Sequence, residues 1–332
     1  MSDYSRESFE SLLENLADPE QPLRAALLYR LSDLAPVEML ALQAIWSEVP
    51  VERRRQLVSR LVETSEVSID VDYREVARFT LQDDDPEVRR RSIEALWEDE
   101  RPETMRALIS HVEFDSDPDV RAEAAQALGR FVLAGEMGEL PEQIANEAVD
   151  ALLEILLHGD EHLEVHRRSL ESIAYASRDE IASLIEEAME NVELKMRASA
   201  VFAMGRSADE QWTDAVLSAL HSDEAEIVYE AARAAGELML EDAVGDLIRL
   251  AAGDDTEIKM SAIWSLGEIG GHEARRALME LADSNADDPI LDAIEDAMNM
   301  AALSTGDFAT YLLSSNGEAF EGTDLLDDLD EE

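Results

Sequence analysis

Three histidines at four-residue spacing are the best candidates for chemistry in this chain. His158, His162 and His166 have acidic residues between them, and imidazole with carboxylate is a ligand set suited to zinc or nickel. A four-residue step would place two of the imidazoles on one face of a helix. However, Gly159-Asp160 is typical of a break between two helices. We therefore interpret the histidines as solvated turn residues, and we predict no metal and no cofactor.

Other catalytic sets are equally weak. The chain contains no cysteine, which excludes disulfides, thiolate nucleophiles and cysteine-ligated zinc. Adjacent carboxylates such as Asp83-Asp84-Asp85 are expected by chance among 77 acidic residues, and none has the ligand spacing and turn glycine of a calcium loop. The sequence has no glycine-rich phosphate loop, nucleophile elbow or kinase motif. It therefore predicts a protein that is not an enzyme.

The charge balance is the strongest feature of the composition. The 332 residues carry a formal net charge of −50, from 77 acidic and 27 basic residues. Such a surface repels polyanions and attracts cations, so we expect a protein partner with a basic surface and no nucleic acid. The same charge would also serve solubility or adaptation to a salty cytoplasm. Without an evident signal peptide or a run of about 20 apolar residues, we expect a cytoplasmic protein and no membrane partner.

A recurring phrase predicts the elements that must position these side chains. Residues 85–89 (DPEVR) are repeated most clearly at 117–121 (DPDVR). With Val88 as the reference, equivalent positions follow at steps of 32, 45, 31, 31, 31 and 32 residues. These positions are Val88, Val120, Val165, Met196, Ile227, Ile258 and Ile290. A fixed period with one insertion is typical of stacked helical repeats.

Each repeat reads as two helices. Asp85 and Asp117 suit an N-cap, and the proline that follows each one suits the first helical position. In one copy we predict a first helix from about Ile227 to Met239 and a second from about Asp242 to Ala252. A glycine nine residues after the reference position suits a helix end or a tight helix crossing, at Gly129, Gly205, Gly236 and Gly267.

The residue after the reference position is cationic or histidine in five of the seven copies. A cation near a helix N-terminus is unfavourable toward the helix dipole. We therefore predict that it pairs with a carboxylate of the same or the preceding repeat.

This pattern resembles HEAT repeats, in particular the short class of about 30 residues found in phycobilin-lyase-like proteins. Residues 117–129 (DPDVRAEAAQALG) and 258–270 (IKMSAIWSLGEIG) carry the resemblance, which covers roughly residues 17–300. It implies an all-α fold, an α-solenoid of stacked antiparallel helix pairs forming a HEAT-like superhelix. A fold of this kind hosts unrelated tasks, so the resemblance says little about function.

The repeats divide the chain into a solenoid over residues 1–315 and an acidic segment over 316–332. We count eight repeats, of which the first two are degenerate, and a partial unit near Asp288 that serves as a cap. Residues 64–73 and 133–146 interrupt the period. Insertions in repeat arrays fall in loops on one face, which is often the binding face, but we interpret these two as tolerated loops.

Candidate partner contacts come from the tryptophans and the acidic segment. We predict that Trp97 and Trp264 belong to the core, and that Trp212 is partly exposed as an interface anchor beside acidic neighbours. Residues 316–332 contain eight acidic and no basic residues, with apolar side chains at Phe320, Leu325, Leu326 and Leu329. We expect this segment to be disordered alone, either as a solvating tail or as a segment that docks on a partner or back onto the solenoid.

Three functions fit these features. The favoured one is a protein–protein interaction scaffold or adaptor that uses an acidic solenoid surface without catalysis. The resemblance alone implies an alternative, a tetrapyrrole or chromophore lyase-like protein or cofactor-handling chaperone. The acidity suggests another, a nucleic-acid-mimicking inhibitor of a basic protein.

Two enzyme classes with HEAT-like folds are disfavoured by their site residues. Iron-binding HEAT-repeat hydroxylases carry His-Glu pairs on several helices, whereas the only such pair here is His272-Glu273. HEAT-like DNA glycosylases need a basic concave face, which the net charge of this chain opposes.

Overall fold

Helices account for all the regular structure that is described. The computed structural model describes residues 9–18, 20–23, 28–158, 161–284 and 288–304. Over these residues it has seventeen α-helices and no β-strand, so the prediction of an all-α fold is confirmed. The α-helices are α1 (Phe9–Ala17), α2 (Pro36–Trp46), α3 (Val51–Val67), α4 (Arg74–Thr80), α5 (Pro86–Glu94), α6 (Pro102–Phe114), α7 (Pro118–Glu136), α8 (Glu142–Leu157), α9 (Leu163–Ile173), α10 (Asp179–Met189), α11 (Leu194–Arg206), α12 (Thr213–Ala219), α13 (Ala225–Glu237), α14 (Val244–Ala251), α15 (Thr256–Ile269), α16 (Gly271–Ser284) and α17 (Asp288–Ser304).

The chain divides after Ala203 into two compact units, and each has two layers of helices. In the first unit, α3, α5, α7 and α9 are the first helices of successive repeats, and each packs against the next. The second helices α6 and α8 pack against each other and against α7. Because short turns join helices that contact each other, consecutive helices run antiparallel.

The second unit repeats this arrangement. The first helices α13, α15 and α17 pack in succession, while α14 and α16 form the second layer against α15. The observed α13 and α14 lie within about two residues of the predicted pair, apart from a 3-10 turn over Glu241–Ala243 that precedes α14. The predicted α-solenoid of stacked antiparallel helix pairs is therefore confirmed. None of the described helices has both the length and the apolar character needed to cross a bilayer.

The recurring phrase acts as predicted at the start of the first helices. The side chain of Asp85 accepts from the Val88 N–H at 3.2 Å, and that of Asp117 accepts from the Val120 N–H at 3.3 Å. A proline follows each cap at the first helical position. The valine at the reference position is then directed into the core, and Val88 and Val120 are fully buried.

The glycines mark close crossings between successive first helices. A Cβ built on Gly236 would lie 2.8 Å from the Cα of Ser265, and one on Gly267 would lie 2.7 Å from the Cα of Ala297. These distances are too short for any side chain, which confirms the predicted tight crossing. Each of these two helices is followed by a residue with a positive φ three positions after the glycine. These residues are Met239 (φ 50°) after α13 and Gly270 (φ 66°) after α15.

The two insertions are more helical than predicted. Residues 133–136 continue α7 and residues 142–146 begin α8, so that only 137–141 form a turn. A Cβ on Gly135 would lie 2.3 Å from the Cβ of Ala145, and this close contact holds the extended end of α7 against α8. The expectation of a loop is thus wrong for most of 133–146. It holds for 68–73, which follows the end of α3.

Candidate protein-interaction surface

An arginine near the start of the first helix joins one repeat to the next. Arg89 donates from Nε and Nη2 to the carboxylate of Asp115 at 2.8 and 2.6 Å, and from Nη1 to the carbonyl of Asp83 at 2.9 Å. Arg121 binds the carboxylate of Glu161 at 3.0 and 2.7 Å in the same way. The predicted pairing is confirmed at Arg89 and Arg121, whose carboxylate partners lie in the turns that end their own repeats. His166, at the same position of the next repeat, contacts backbone carbonyls.

The carboxylates in these turns are buried and fully engaged. Burial alone would raise the pKa of Asp115, but hydrogen bonds from Arg89, the Asp117 N–H and His111 hold that pKa below its usual range. Asp83 likewise accepts from the indole of Trp46 at 2.6 Å and forms an ion pair with Arg54. The arginines of the first-helix layer thus bind groups of the protein itself.

Of the three histidines of the sequence analysis, His158 and His162 stand at helix ends as predicted, whereas His166 lies in the first turn of α9. His162 is the N-cap of α9, and His166 takes the arginine position and donates from Nε2 to the carbonyl of His158 at 2.9 Å. His158 itself contacts the carbonyl of Glu154 at 2.7 Å. Across the residues described, no cluster of three or more histidine or acidic side chains is placed to hold a metal ion.

One carboxylate of the first-helix layer is held in a costly environment. Burial, followed by the neighbouring charge of Glu94, raises the pKa of Glu123 on α7, while Arg90 and Arg168 oppose the change. The distance from Arg90 to Glu123 is 3.5 Å, longer than the 2.6 Å from Arg90 to Glu94. Glu123 is therefore the weaker partner of a shared cation.

Basic residues are distributed unevenly between the two helix layers, whereas acidic residues occur in both. The first helices carry most of the bases, with three arginines on α5 and two on α9. The second helices α8 and α10 contain no lysine or arginine. Their acidic residues are Glu142, Glu147, Asp150 and Glu154 on α8 and Asp179, Glu180, Glu186 and Glu187 on α10.

Most of these carboxylates face solvent. Glu147 is paired with Arg106 at 2.8 Å, and Asp150 with Arg178 at 3.2 Å. Arg178 also donates to Asn146 at 2.9 Å, which ties the start of α10 to α8. The remaining exposed carboxylates, which we call the α8–α10 acidic face, are Glu142, Glu154, Asp179, Glu180, Glu186 and Glu187.

The family follows from comparison with known proteins. The family model described as HEAT repeats matches residues 76–174, 181–259 and 213–299. The chain belongs to the HEAT-repeat family. No curated protein matches the sequence.

Solved structures of other helical-repeat proteins are similar at low sequence identity. Yeast importin-β (Kap95p) is 13% identical, with a TM-score of 0.51 over 94% of this chain and 50% of that chain. The complex of CpcE and CpcF of phycocyanin lyase from Nostoc sp. PCC7120 is 20% identical, with a TM-score of 0.47 over 69% and 94%. Human deoxyhypusine hydroxylase is 18% identical, with a TM-score of 0.34 over 88% and 95%. At this level the likeness to importin-β shows the fold alone.

The HEAT repeats place the predicted tryptophans differently from expectation. Trp212 is only 6% exposed, so its predicted partial exposure is wrong: it belongs to the 3-10 turn before α12 and lies under the surface. Trp97 is 54% exposed and Trp264 is 40% exposed, so their assignment to the core is wrong as well. Helical spacing placed both on an inner face, whereas the packed layers leave them at the surface.

Trp264 marks a groove that sequence reasoning missed. It lies between the first helices α13 and α15 of the HEAT array and has a volume of about 700 Å³. The groove is lined by Tyr229, Arg233, Thr256, Glu257, Met260, Ser261 and Trp264. The available signal was an aromatic and a methionine one turn apart on α15, which is equally typical of a core. The other candidate contacts, Phe320, Leu325, Leu326 and Leu329, lie outside the described residues.

Proposed function

We propose that this HEAT-repeat protein is a non-catalytic scaffold that binds a basic protein partner through the α8–α10 acidic face. The absence of basic residues from α8 and α10 carries the proposal. First-helix arginines such as Arg89 and Arg121 bind carboxylates in the turns of the array, whereas the exposed carboxylates of α8 and α10 have no basic residue on their own helices. The proposal includes no nucleic-acid ligand, and it places the protein in the cytoplasm.

Exposed carboxylates of one sign act mainly on the rate and selectivity of association. A negative field steers a basic partner to the surface and disfavours acidic competitors. The effect is screened within about 10 Å at 0.1 M salt and within about 3 Å at 1 M salt. Binding through this face must therefore weaken strongly as the salt concentration rises.

The test compares wild-type protein with a charge-reversed variant of the face. Glu142, Glu180, Glu186 and Glu187 are changed to lysine together, and proteins captured from a lysate of the native host are identified by mass spectrometry at about 0.05 and 0.5 M salt. We expect basic proteins to be retained at low salt by the wild type and to be lost from the variant.

A matched control keeps the change in net charge but moves it to the second unit. Asp214, Glu226, Glu241 and Asp242 are also exposed, and all four lie in the first turn of an α-helix or a 3-10 helix. Changed to lysine, they should leave capture unaffected. If both variants lose the same proteins, net charge and not the α8–α10 acidic face is responsible. If the wild type retains no protein at low salt, the scaffold proposal is wrong.

A further inference from the structure

A second groove lies where the described part of the chain ends. It lies between α16 and α17 and has a volume of about 400 Å³. It is lined by His272, Arg275, Arg276, Met279, Met298 and Ala302. Its floor is apolar, and the side chain of Met279 is 54% exposed there. The groove therefore combines an apolar floor with a basic rim.

The basic rim is unusual in so acidic a protein. Elsewhere in the second unit, Arg206 and Arg233 both bind Glu237 at 3.2 Å, which leaves their charge shared with a carboxylate inside the layer. In the groove, Arg276 stands 3.7 Å from Glu280, with 70% and 74% of the two side chains exposed. The pair is long and solvated, and such pairs contribute little to stability. Arg276 can therefore exchange this partner for another carboxylate at low cost.

The larger groove between α13 and α15 does not share this property. Its arginine, Arg233, is held by Glu237, and Glu257 adds a negative charge to the lining. An anionic ligand would meet repulsion there and attraction at the groove between α16 and α17. Because of this difference in charge, the smaller groove is better suited to a ligand that is both acidic and apolar.

We propose that residues 320–329 of the same chain dock in the groove between α16 and α17. This segment reads FEGTDLLDDL and has four acidic residues and no basic ones. Leu325, Leu326 and Leu329 have the spacing of one helix face, which suits an apolar floor flanked by cations. The acidic residues would then meet Arg275, Arg276 and His272.

The covalent connection makes this occupant favoured over others. Ala302 lines the groove and the described chain ends at 304, so the segment is tethered by fewer than about twenty residues, whose flexible span is about 25 Å. Short flexible linkers give effective concentrations of about 1 mM. A segment with a Kd of only about 0.1 mM for the isolated groove would be docked in about nine molecules of ten. This inference does not depend on the proposed function.

The absence of cysteine allows a direct distance measurement in the full chain. Spin labels are attached at Asp283→Cys, which is exposed one turn beyond the groove residue Met279, and at Glu331→Cys. Double electron–electron resonance then reports the distance between them. Docking predicts a narrow distribution, shorter than the broad one near about 30 Å expected of a free segment of this length.

Two variants and one control test the contacts. Leu325→Asp/Leu326→Asp/Leu329→Asp and Arg275→Glu/Arg276→Glu should each lower the docked fraction about fivefold or more. Asp327→Arg/Asp328→Arg combined with the arginine reversal should restore it, since the charges are exchanged. Arg249→Glu/Lys259→Glu changes the net charge of the second unit equally and should leave the distances unchanged.

Three results would overturn the proposal. One is a broad distance distribution in the wild type that no variant alters. Another is a short distance that persists in both the leucine and the arginine variants. The third is a short distance between molecules that each carry only one label, because it would assign the groove to a second copy of the chain.

Discussion

Replacing Gly236 by alanine tests the close crossing between α13 and α15. The new Cβ would lie 2.8 Å from both the Cα and the Cβ of Ser265, about 0.6 Å closer than ordinary van der Waals contact allows. Forcing a methyl group into a packed contact costs about 1–3 kcal/mol. Alanine regains about 1 kcal/mol through its higher helix propensity. The net loss should be about 0–2 kcal/mol, so Gly236→Ala should be less stable than a glycine-to-alanine change without the clash by about 1–3 kcal/mol.

Gly245 provides the control, since nothing lies within 4 Å of a Cβ built there. Gly245→Ala in α14 should keep the propensity gain and stabilise by up to about 1 kcal/mol. Urea denaturation measures both changes, and hydrogen exchange of α13 and α15 shows whether the loss is local, because repeat arrays can unfold in parts. If Gly236→Ala is as stable as Gly245→Ala, the helices do not approach as closely as described.

The other predictions concern the arginine contacts, a raised pKa and a strained helix end. Arg89→Ala leaves Asp115 buried without its cation and should lower the free energy of unfolding in urea by about 2–4 kcal/mol. Arg60→Ala removes an exposed ion pair and should lower it by less than about 0.5 kcal/mol. Equal losses in the two variants would contradict the role given to the contact between Arg89 and Asp115. Because the pKa of Glu123 is raised in the folded state, its contribution to stability is full below the unfolded value of 4.5 and is lost as pH rises through the folded value. Glu123→Gln should therefore raise the melting temperature at about pH 7 and lose this advantage at about pH 4; a gain that does not change with pH would refute this. Met239→Gly removes the strain of a positive φ at an exposed position and should stabilise by about 0.5 kcal/mol, as the denaturation midpoint will show; a lower midpoint would contradict it.

The architecture was predictable because its signals are local and repeated. Asp85 and Asp117 cap helices through N–H groups two or three residues away, so their effect needs no distant partner. Val88, Val120 and Val165 recur at the repeat period, and all three are fully buried. Seven weak copies of one pattern together predict a stack, although a single copy would not.

The surface was harder to predict from the same patterns. Trp97, Trp212 and Trp264 all stand in or beside helices, yet the structure buries the one expected at the surface and exposes the two expected in the core. Helical spacing shows which residues share a face. It does not show whether that face meets a neighbouring helix or solvent, because the neighbour comes from a repeat about 30 residues away.

The sequence by itself determined the helix pairs, their period, the caps, the glycine crossings and the large negative charge. Tertiary structure decided which carboxylate each arginine binds, as when Arg89 binds Asp115 in the turn that ends its own repeat. It also decided that 133–136 extends α7, and that α16 and α17 leave a basic groove between them. Helix starts and burial periods depend on residues a few positions apart along the chain, whereas pairing and grooves depend on the rotation and spacing between layers, which no local pattern specifies.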